Sequence, residues 1–230
     1  MPHCELIAEV STNHGGDIAL AKEFIRRFSE AGADWIKFQY TRIAHLNPSD
    51  AQFSWFAQSE LSDEQFAELK AETEAAGAKF LLTVYNAQDV PAVAKLSTEA
   101  IKIGSGEART DLVEVVRVAT PQVFRSGGWS YGNIKAFRCI AWYPTPHTVA
   151  MREALRFKAR SFHGYSCHAI GIEPCQLAII NGARLIEKHV QLPNQARPCK
   201  PFEATVEEFK ALRAFADQHP DRFIGRWQHA

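Results

Sequence analysis

The chain has 230 residues, 46% hydrophobic and 23% charged, with 26 basic against 26 acidic side chains and a formal net charge of +0. That balance argues against a nucleic-acid or polyanion binder, which carries a basic excess, and leaves a small anionic substrate open. No apolar run approaches the roughly 18 residues of a membrane span, no signal peptide is visible, and five cysteines without metal-type pairing make a reduced, cytoplasmic protein the simplest reading.

The first expected strand is 6–10 (LIAEV), followed by a turn-rich STNHGGD. Asp17 can cap a helix over 18–31, whose apolar residues Leu20, Phe24, Ile25 and Phe28 recur at helical spacing. A strand over 35–40 follows, then a loop over 41–60 long enough to be a lid or a substrate loop. The alternation continues with a helix over 62–76, a strand over 80–85, a short helix over 89–96 and a strand over 100–103 that runs into GSGE. A helix over 112–119 and a strand over 123–126 complete five units. The rhythm then stumbles, because only the glycine-rich GGWSYGNI separates Ser126 from Lys135. Strand 137–142, helix 151–157, strand 161–165, helix 170–181, strand 185–189 and helix 206–216 resume it.

Eight strands alternating with seven clear helices imply an all-parallel sheet, and eight units suggest closure into a (β/α)8 barrel with a missing or reduced fifth helix. A doubly wound open sheet is the alternative. No composition shift marks a second domain, so 1–230 is expected to be a single barrel domain. The weak fifth helix leaves part of the barrel wall uncovered, which invites a partner subunit unless Trp129 and Tyr131 shield it.

Each expected strand is apolar first and polar at or near its end: Glu9; Lys37 and Gln39; Thr83; Lys102, Ser105 and Glu107; Ser126; Tyr143; Ser166 and His168; Glu187 and His189. A buried parallel strand should be a continuous apolar run, so Lys37 and Lys102 break the pattern. Taken singly, either lysine reads as a salt bridge to a strand glutamate such as Glu9 or Glu187. Taken together, eight polar strand ends converge on the C-terminal mouth of a barrel, where active sites sit. Two lysines among Thr83, Ser105, Ser126 and Ser166 make a donor-rich pocket suited to phosphate or carboxylate. His168 and His189, on adjacent strand ends beside Glu187 and Glu107, can ligate one divalent metal.

These residues resemble the sialic acid synthase family, barrel enzymes that condense phosphoenolpyruvate with an N-acetylhexosamine-like aldose. The resemblance rests on IAEVSTNHGGD (7–17), AGADWIKFQ (31–39), IKIGSGE (101–107), YPTP (143–146), GYSCHAIGIE (164–173) and GARLIEKHV (182–190). It implies that Lys37, Thr83, Lys102, Ser105, Ser126 and Ser166 hold phosphoenolpyruvate. It implies that His168 and His189 bind a divalent metal, Mn2+ by preference with Mg2+ as the alternative. Glu107 is the leading acid/base candidate, with Glu9 nearby and Lys102 in the same catalytic group, while Gln39, Tyr143 and Glu187 face the sugar. A homodimer is also implied.

The chain departs from the family pattern in places. Cys167 stands in YSCH where YSDH is usual, Ala141 replaces an asparagine two residues before Tyr143, and Cys199 falls where an acidic residue is expected. The family's C-terminal antifreeze-like domain has no counterpart before Ala230. The main expectation is therefore a phosphoenolpyruvate-dependent synthase of a 2-keto sugar acid. Beside it stand a member that binds an anionic ligand or partner without turnover, and a metal-dependent aldolase of another substrate.

Overall fold

The computed structural model describes residues 3–49, 51–105 and 110–220. Eight parallel strands, each paired to the next and the last to the first, close into a barrel. They are β1 (Glu5–Ser11), β2 (Trp35–Gln39), β3 (Lys79–Val84), β4 (Ile101–Ile103), β5 (Val123–Ser126), β6 (Ile134–Cys139), β7 (Gly164–Cys167) and β8 (Leu185–His189). Seven helices form the outer ring: α1 (Ile18–Glu30), α3 (Asp63–Ala75), α4 (Val90–Leu96), α5 (Thr110–Ala119), α6 (His147–Leu155), α7 (Glu173–Ile180) and α8 (Val206–Gln218). The expected (β/α)8 architecture is borne out. A short helix α2 (Phe53–Gln58) and a 3-10 turn at Ile43–His45 lie inside the stretch expected to be loop.

Local chemistry sets the boundaries. The Asp17 carboxylate accepts from the backbone N–H of Ala19 and Leu20, and Ser62 and Thr205 form reciprocal capping boxes with Gln65 and Glu208. Two strands sit elsewhere than expected. β6 begins at Ile134, three residues early, and stops at Cys139, because a Tyr131–Ile134 turn delivers the chain directly into the ladder. β7 starts at Gly164 because residues 158–162 form a turn closed by Ser161 and Phe162 N–H on the Lys158 carbonyl.

No helix joins β5 to β6, as expected from the glycines. Parallel neighbours ordinarily need a dozen or more connecting residues, and here 127–133 make the return. Gly127 and Gly128 manage it with φ of +84° and +71°, which a side chain would disfavour. Trp129 covers the gap only in part: it stacks on Phe162 at 5.8 Å yet remains 67% exposed.

The pleat sorts the interior into layers. Side chains two apart share a face, so Ile7, Trp35, Leu81, Ala100, Phe124, Phe137 and Leu185 pack into one apolar plug. One step further along the same faces come Glu9, Lys37, Thr83, Lys102, Ser126, Ser166 and Glu187. Outward residues such as Leu6, Ile36, Leu82 and Ile186 pack against the helices. Gly164 is the inward residue of β7 in the lower part of the barrel, and a Cβ there would lie 2.6 Å from Phe137 Cε1 and 2.9 Å from the Leu185 carbonyl oxygen. Gly164→Ala should therefore cost about 1–3 kcal/mol through overpacking. Urea denaturation reads this directly, and an unchanged midpoint would contradict the tight plug.

Candidate active site

Above the plug lies a cavity of about 360 Å³ at the C-terminal end of the strands. Its floor is an alternating set of two lysines and two glutamates. Lys37 Nζ lies 2.5 Å from Glu9 Oε2 and 3.5 Å from Glu187 Oε2, and it donates to Thr83 Oγ1 at 2.9 Å. Lys102 Nζ donates to Glu187 Oε2 at 2.8 Å and sits 3.9 Å above the Phe137 ring. Ser166 donates to the other Glu187 oxygen at 3.0 Å. The salt-bridge reading of the lysines thus holds for both, in one connected network rather than two separate pairs.

Burial and charge act in opposite senses on these groups. Burial pushes the Glu9 carboxyl up to about 7 against the pull of Lys37, so Glu9 can hold or release a proton near neutrality. Glu187 is held well below the usual carboxylate range, because Lys102 and Lys37 outweigh the same burial. Lys37 is raised, its burial outweighed by Glu187 and Glu9, whereas Lys102 is lowered by burial with Lys37 adding to that effect. Lys102 shares its one carboxylate, Glu187, with Lys37, and Glu9 is only partly ionised near neutral pH. The two carboxylates therefore leave the two ammonium groups incompletely neutralised for an entering anion.

The rim is aromatic and imidazole. Ser105 Oγ lies 3.3 Å from the Tyr143 hydroxyl, and the Tyr143 ring covers His168 with centroids 4.0 Å apart. Tyr143 belongs to the turn four residues beyond β6, not to the strand. The His168 and His189 ring centroids are 5.3 Å apart. His168 Nδ1 lies 2.8 Å from the Ile140 carbonyl oxygen, which can only accept; the neutral ring then carries its proton on Nδ1 and leaves Nε2 as a lone pair. Burial lowers His168 to about 4, and burial together with His168 holds His189 well below the usual imidazole value, so both rings are neutral at pH 7. The buried His189 Nδ1 has no hydrogen-bond partner among the described residues.

Two neutral imidazoles, one fixed by a carbonyl and one with an orphaned nitrogen, suit a divalent cation. Among the described residues no group of three or more His, Cys, Asp or Glu forms a ready cage.

The residues expected from the sequence come together here. Glu9, Lys37, Thr83, Lys102, Ser126 and Ser166 line the lower part of the cavity. Gln39, Ser105, Tyr143, His168 and His189 complete its wall. Glu187 has both oxygens engaged by neighbours, which makes it part of the floor. Glu107 lies outside the described residues. Cys167 does not line the cavity; it is buried on the outer face of β7 with Lys188 Nζ 3.9 Å from its sulfur.

Several further residues line the site without a clear mark in the sequence. Tyr85 lines the same cavity, and its spacing of two from Thr83 was the available signal. Cys139, inward on β6, faces Ser126 and Ser166, with its thiol raised by burial. A second cavity of about 430 Å³ adjoins the first, sharing Gln39, Tyr85, Tyr143 and His189 and adding Thr12, Phe56, Arg197, Lys200 and Phe202. Phe56 comes from α2, so the stretch expected to be a substrate loop does wall a cavity. Arg197 and Lys200 sit in an aperiodic loop after β8 and gave no signal.

The model of the NeuB family matches residues 24–136 and 129–219. An uncharacterized protein of Methanocaldococcus jannaschii is 31% identical over 229 residues, covering 90% of this chain and 68% of that protein. N,N'-diacetyllegionaminic acid synthase of Legionella pneumophila is 30% identical, covering 81% of this chain and 63% of the enzyme. The chain thus spans about two thirds of the length of these relatives. The crystal structure of an N-acetylneuraminic acid synthetase from Leptospira borgpetersenii superposes with a TM-score of 0.84 over 95% of this chain and 84% of that one, at 24% identity, which speaks for the fold.

Proposed function

The chain belongs to the NeuB family, and from that membership we propose that it condenses phosphoenolpyruvate with an aldose to give a 2-keto sugar acid and phosphate. The observation that carries this reading is the paired-lysine floor, ringed by hydroxyls and capped by two neutral imidazoles. Lys37 and Lys102 neutralise the phosphate and carboxylate of phosphoenolpyruvate, and Thr83, Ser105 and Ser126 donate to its oxygens, with Ser166 free to join them by turning its hydroxyl from Glu187. Held there, its C3 attacks the aldehyde carbon; water then adds at C2, and phosphate departs with cleavage of the C2–O bond.

The sugar end falls to Gln39 and Tyr143, which occupy the wall shared by the two cavities. Glu9 has the pKa for moving a proton at neutral pH, and Glu107 is the second acid/base candidate. A divalent ion held by His168 and His189 would polarise the aldehyde oxygen as a Lewis acid. The steric cover is aromatic: Tyr143 packs on His168, and Phe202 packs on His189 at 5.5 Å, which limits water at the rim.

The test is phosphate release by the protein with Mn2+ and phosphoenolpyruvate. Release should require an aldose, drawn from a panel of N-acetylhexosamines, pentoses and their phosphates. No aldose-dependent release across the panel would sink the proposal. Ligand-induced thermal stabilisation without release would instead favour a binding role, and metal-dependent aldol cleavage without phosphoenolpyruvate would favour an aldolase.

A further inference from the structure

We infer that the aldose acceptor carries an anionic group, phosphate or carboxylate, at the end remote from its carbonyl, held by Arg197 and Lys200 in the second cavity. The inference rests on the proposed condensation, since it takes the first cavity as the place of phosphoenolpyruvate. The two cavities meet at Gln39, Tyr85, Tyr143 and His189. An aldehyde placed to react with phosphoenolpyruvate must lie at that shared wall, so the rest of the sugar extends into the second cavity.

The charge there is one-sided. Two cations line the second cavity and, among the described residues, no carboxylate does. Glu203 is the nearby acid, but it stands behind the wall and is fully committed. It is buried, and its oxygens accept from Asn13 Nδ2 at 3.2 Å, Gln195 Nε2 at 3.2 Å and the Lys200 backbone N–H at 2.8 Å. Those bonds pin the loop that carries both cations.

Arg197 is fixed in turn. Its Nε donates to Asn13 Oδ1 at 2.8 Å, and its guanidinium lies 5.4 Å from the centre of the Trp55 ring. Trp55 itself donates to Thr12 Oγ1 at 2.8 Å, so α2 is tied to the turn that follows β1. The nearest carboxylate oxygen to the Arg197 Nη groups among the described residues is Glu203 Oε1 at 3.7 Å, too far for a hydrogen bond. Lys200 Nζ has no ion-pair partner among the described residues. A guanidinium held by its Nε, with Nη donors uncommitted and an ammonium beside it, is a fork for an oxyanion. A neutral sugar would leave Lys200 without a counter-ion among the described residues and Arg197 with only the Glu203 pair at 3.7 Å.

The test compares neutral and anionic aldoses on the whole chain. N-acetylmannosamine, its 6-phosphate, arabinose, arabinose 5-phosphate and mannuronate are titrated calorimetrically without phosphoenolpyruvate. The same sugars are then assayed for phosphate release with it. At least one anionic aldose should bind about tenfold or more tightly than its neutral counterpart. Lys200→Glu should erase that ratio, and Lys200→Ala should reduce it, with melting curves confirming the fold of both. A preference confined to phosphate esters, or to the uronate, supports the inference and identifies the anion.

Equal binding of neutral and anionic aldoses, no binding of either, or a preference that survives Lys200→Glu overturns it. Phosphate release with neutral aldoses alone upholds the condensation and overturns the anionic acceptor. Preferential anion binding without phosphate release does the reverse.

Discussion

Glu187→Gln is expected to lower the melting temperature by roughly 6–20 °C at pH 7, the equivalent of about 3–5 kcal/mol for stripping one partner from a buried ion network. Glu187 is the node of that network. One oxygen takes Lys102 at 2.8 Å and lies 3.5 Å from Lys37, while the other takes Ser166 at 3.0 Å. Glutamine keeps the shape and loses the charge, so Lys102, fully buried on the Phe137 ring, is left with no adjacent anion among the described residues. Lys37 retains Glu9 and cannot make up the difference.

The pH dependence follows from the lowered pKa of Glu187. The unfolded chain takes up its proton near the ordinary value of 4.5, while the folded carboxylate resists protonation. Stability from this group is therefore complete above about pH 4.5 and is lost as pH falls toward the folded pKa. The gap between wild type and Glu187→Gln should narrow in urea titrations taken from pH 7 down to pH 3.5. A variant melting within 2 °C of wild type at pH 7 would show that the network contributes nothing net.

Much of this site could be read from the sequence because a barrel strand is written with a period of two. Leu185, Glu187 and His189 are inward on β8, and the spacing alone states that an apolar plug residue is followed by a charged floor residue and a rim residue. The same grammar holds in Trp35, Lys37 and Gln39. It fails where the polar side chain is not on a strand. Tyr143 reaches the rim from a turn, and counting it as a strand end is what drew the expected β6 three residues too late. The 161–165 expectation erred for a related reason: Phe162 and His163 look like strand residues, but the backbone N–H of Phe162 is spent on a turn.

The second cavity lay beyond reach for a different physical reason. Its cations are placed by Glu203 and Asn13, 190 residues apart, through side-chain hydrogen bonds that leave no periodic trace. Cys167 shows the converse. Its neighbours Ser166 and His168 line the cavity, so alternation put it on the outer face, and there it is found against Lys188.

Lys102→Ala should weaken phosphoenolpyruvate binding by at least about tenfold and up to about 150-fold, the loss of a charge-assisted contact of roughly 1.5–3 kcal/mol. The lower figure assumes only a missing donor. The higher one is favoured because removing Lys102 also leaves Glu187 with a single lysine at 3.5 Å, so an anionic ligand meets a carboxylate that is no longer neutralised. A double-mutant cycle separates the two contributions. Adding Glu187→Ala to Lys102→Ala removes the orphaned charge, so stability should recover relative to Lys102→Ala alone. Affinity should recover only in part, because the repulsion is gone but the donor is still missing. Calorimetric titration of phosphoenolpyruvate into wild type, Lys102→Ala, Glu187→Ala and the double variant reads the affinity, and melting curves of the same four proteins read the stability. Wild-type affinity in Lys102→Ala would mean that phosphoenolpyruvate does not use this floor. Full recovery of affinity in the double variant would mean that Lys102 serves only to neutralise Glu187.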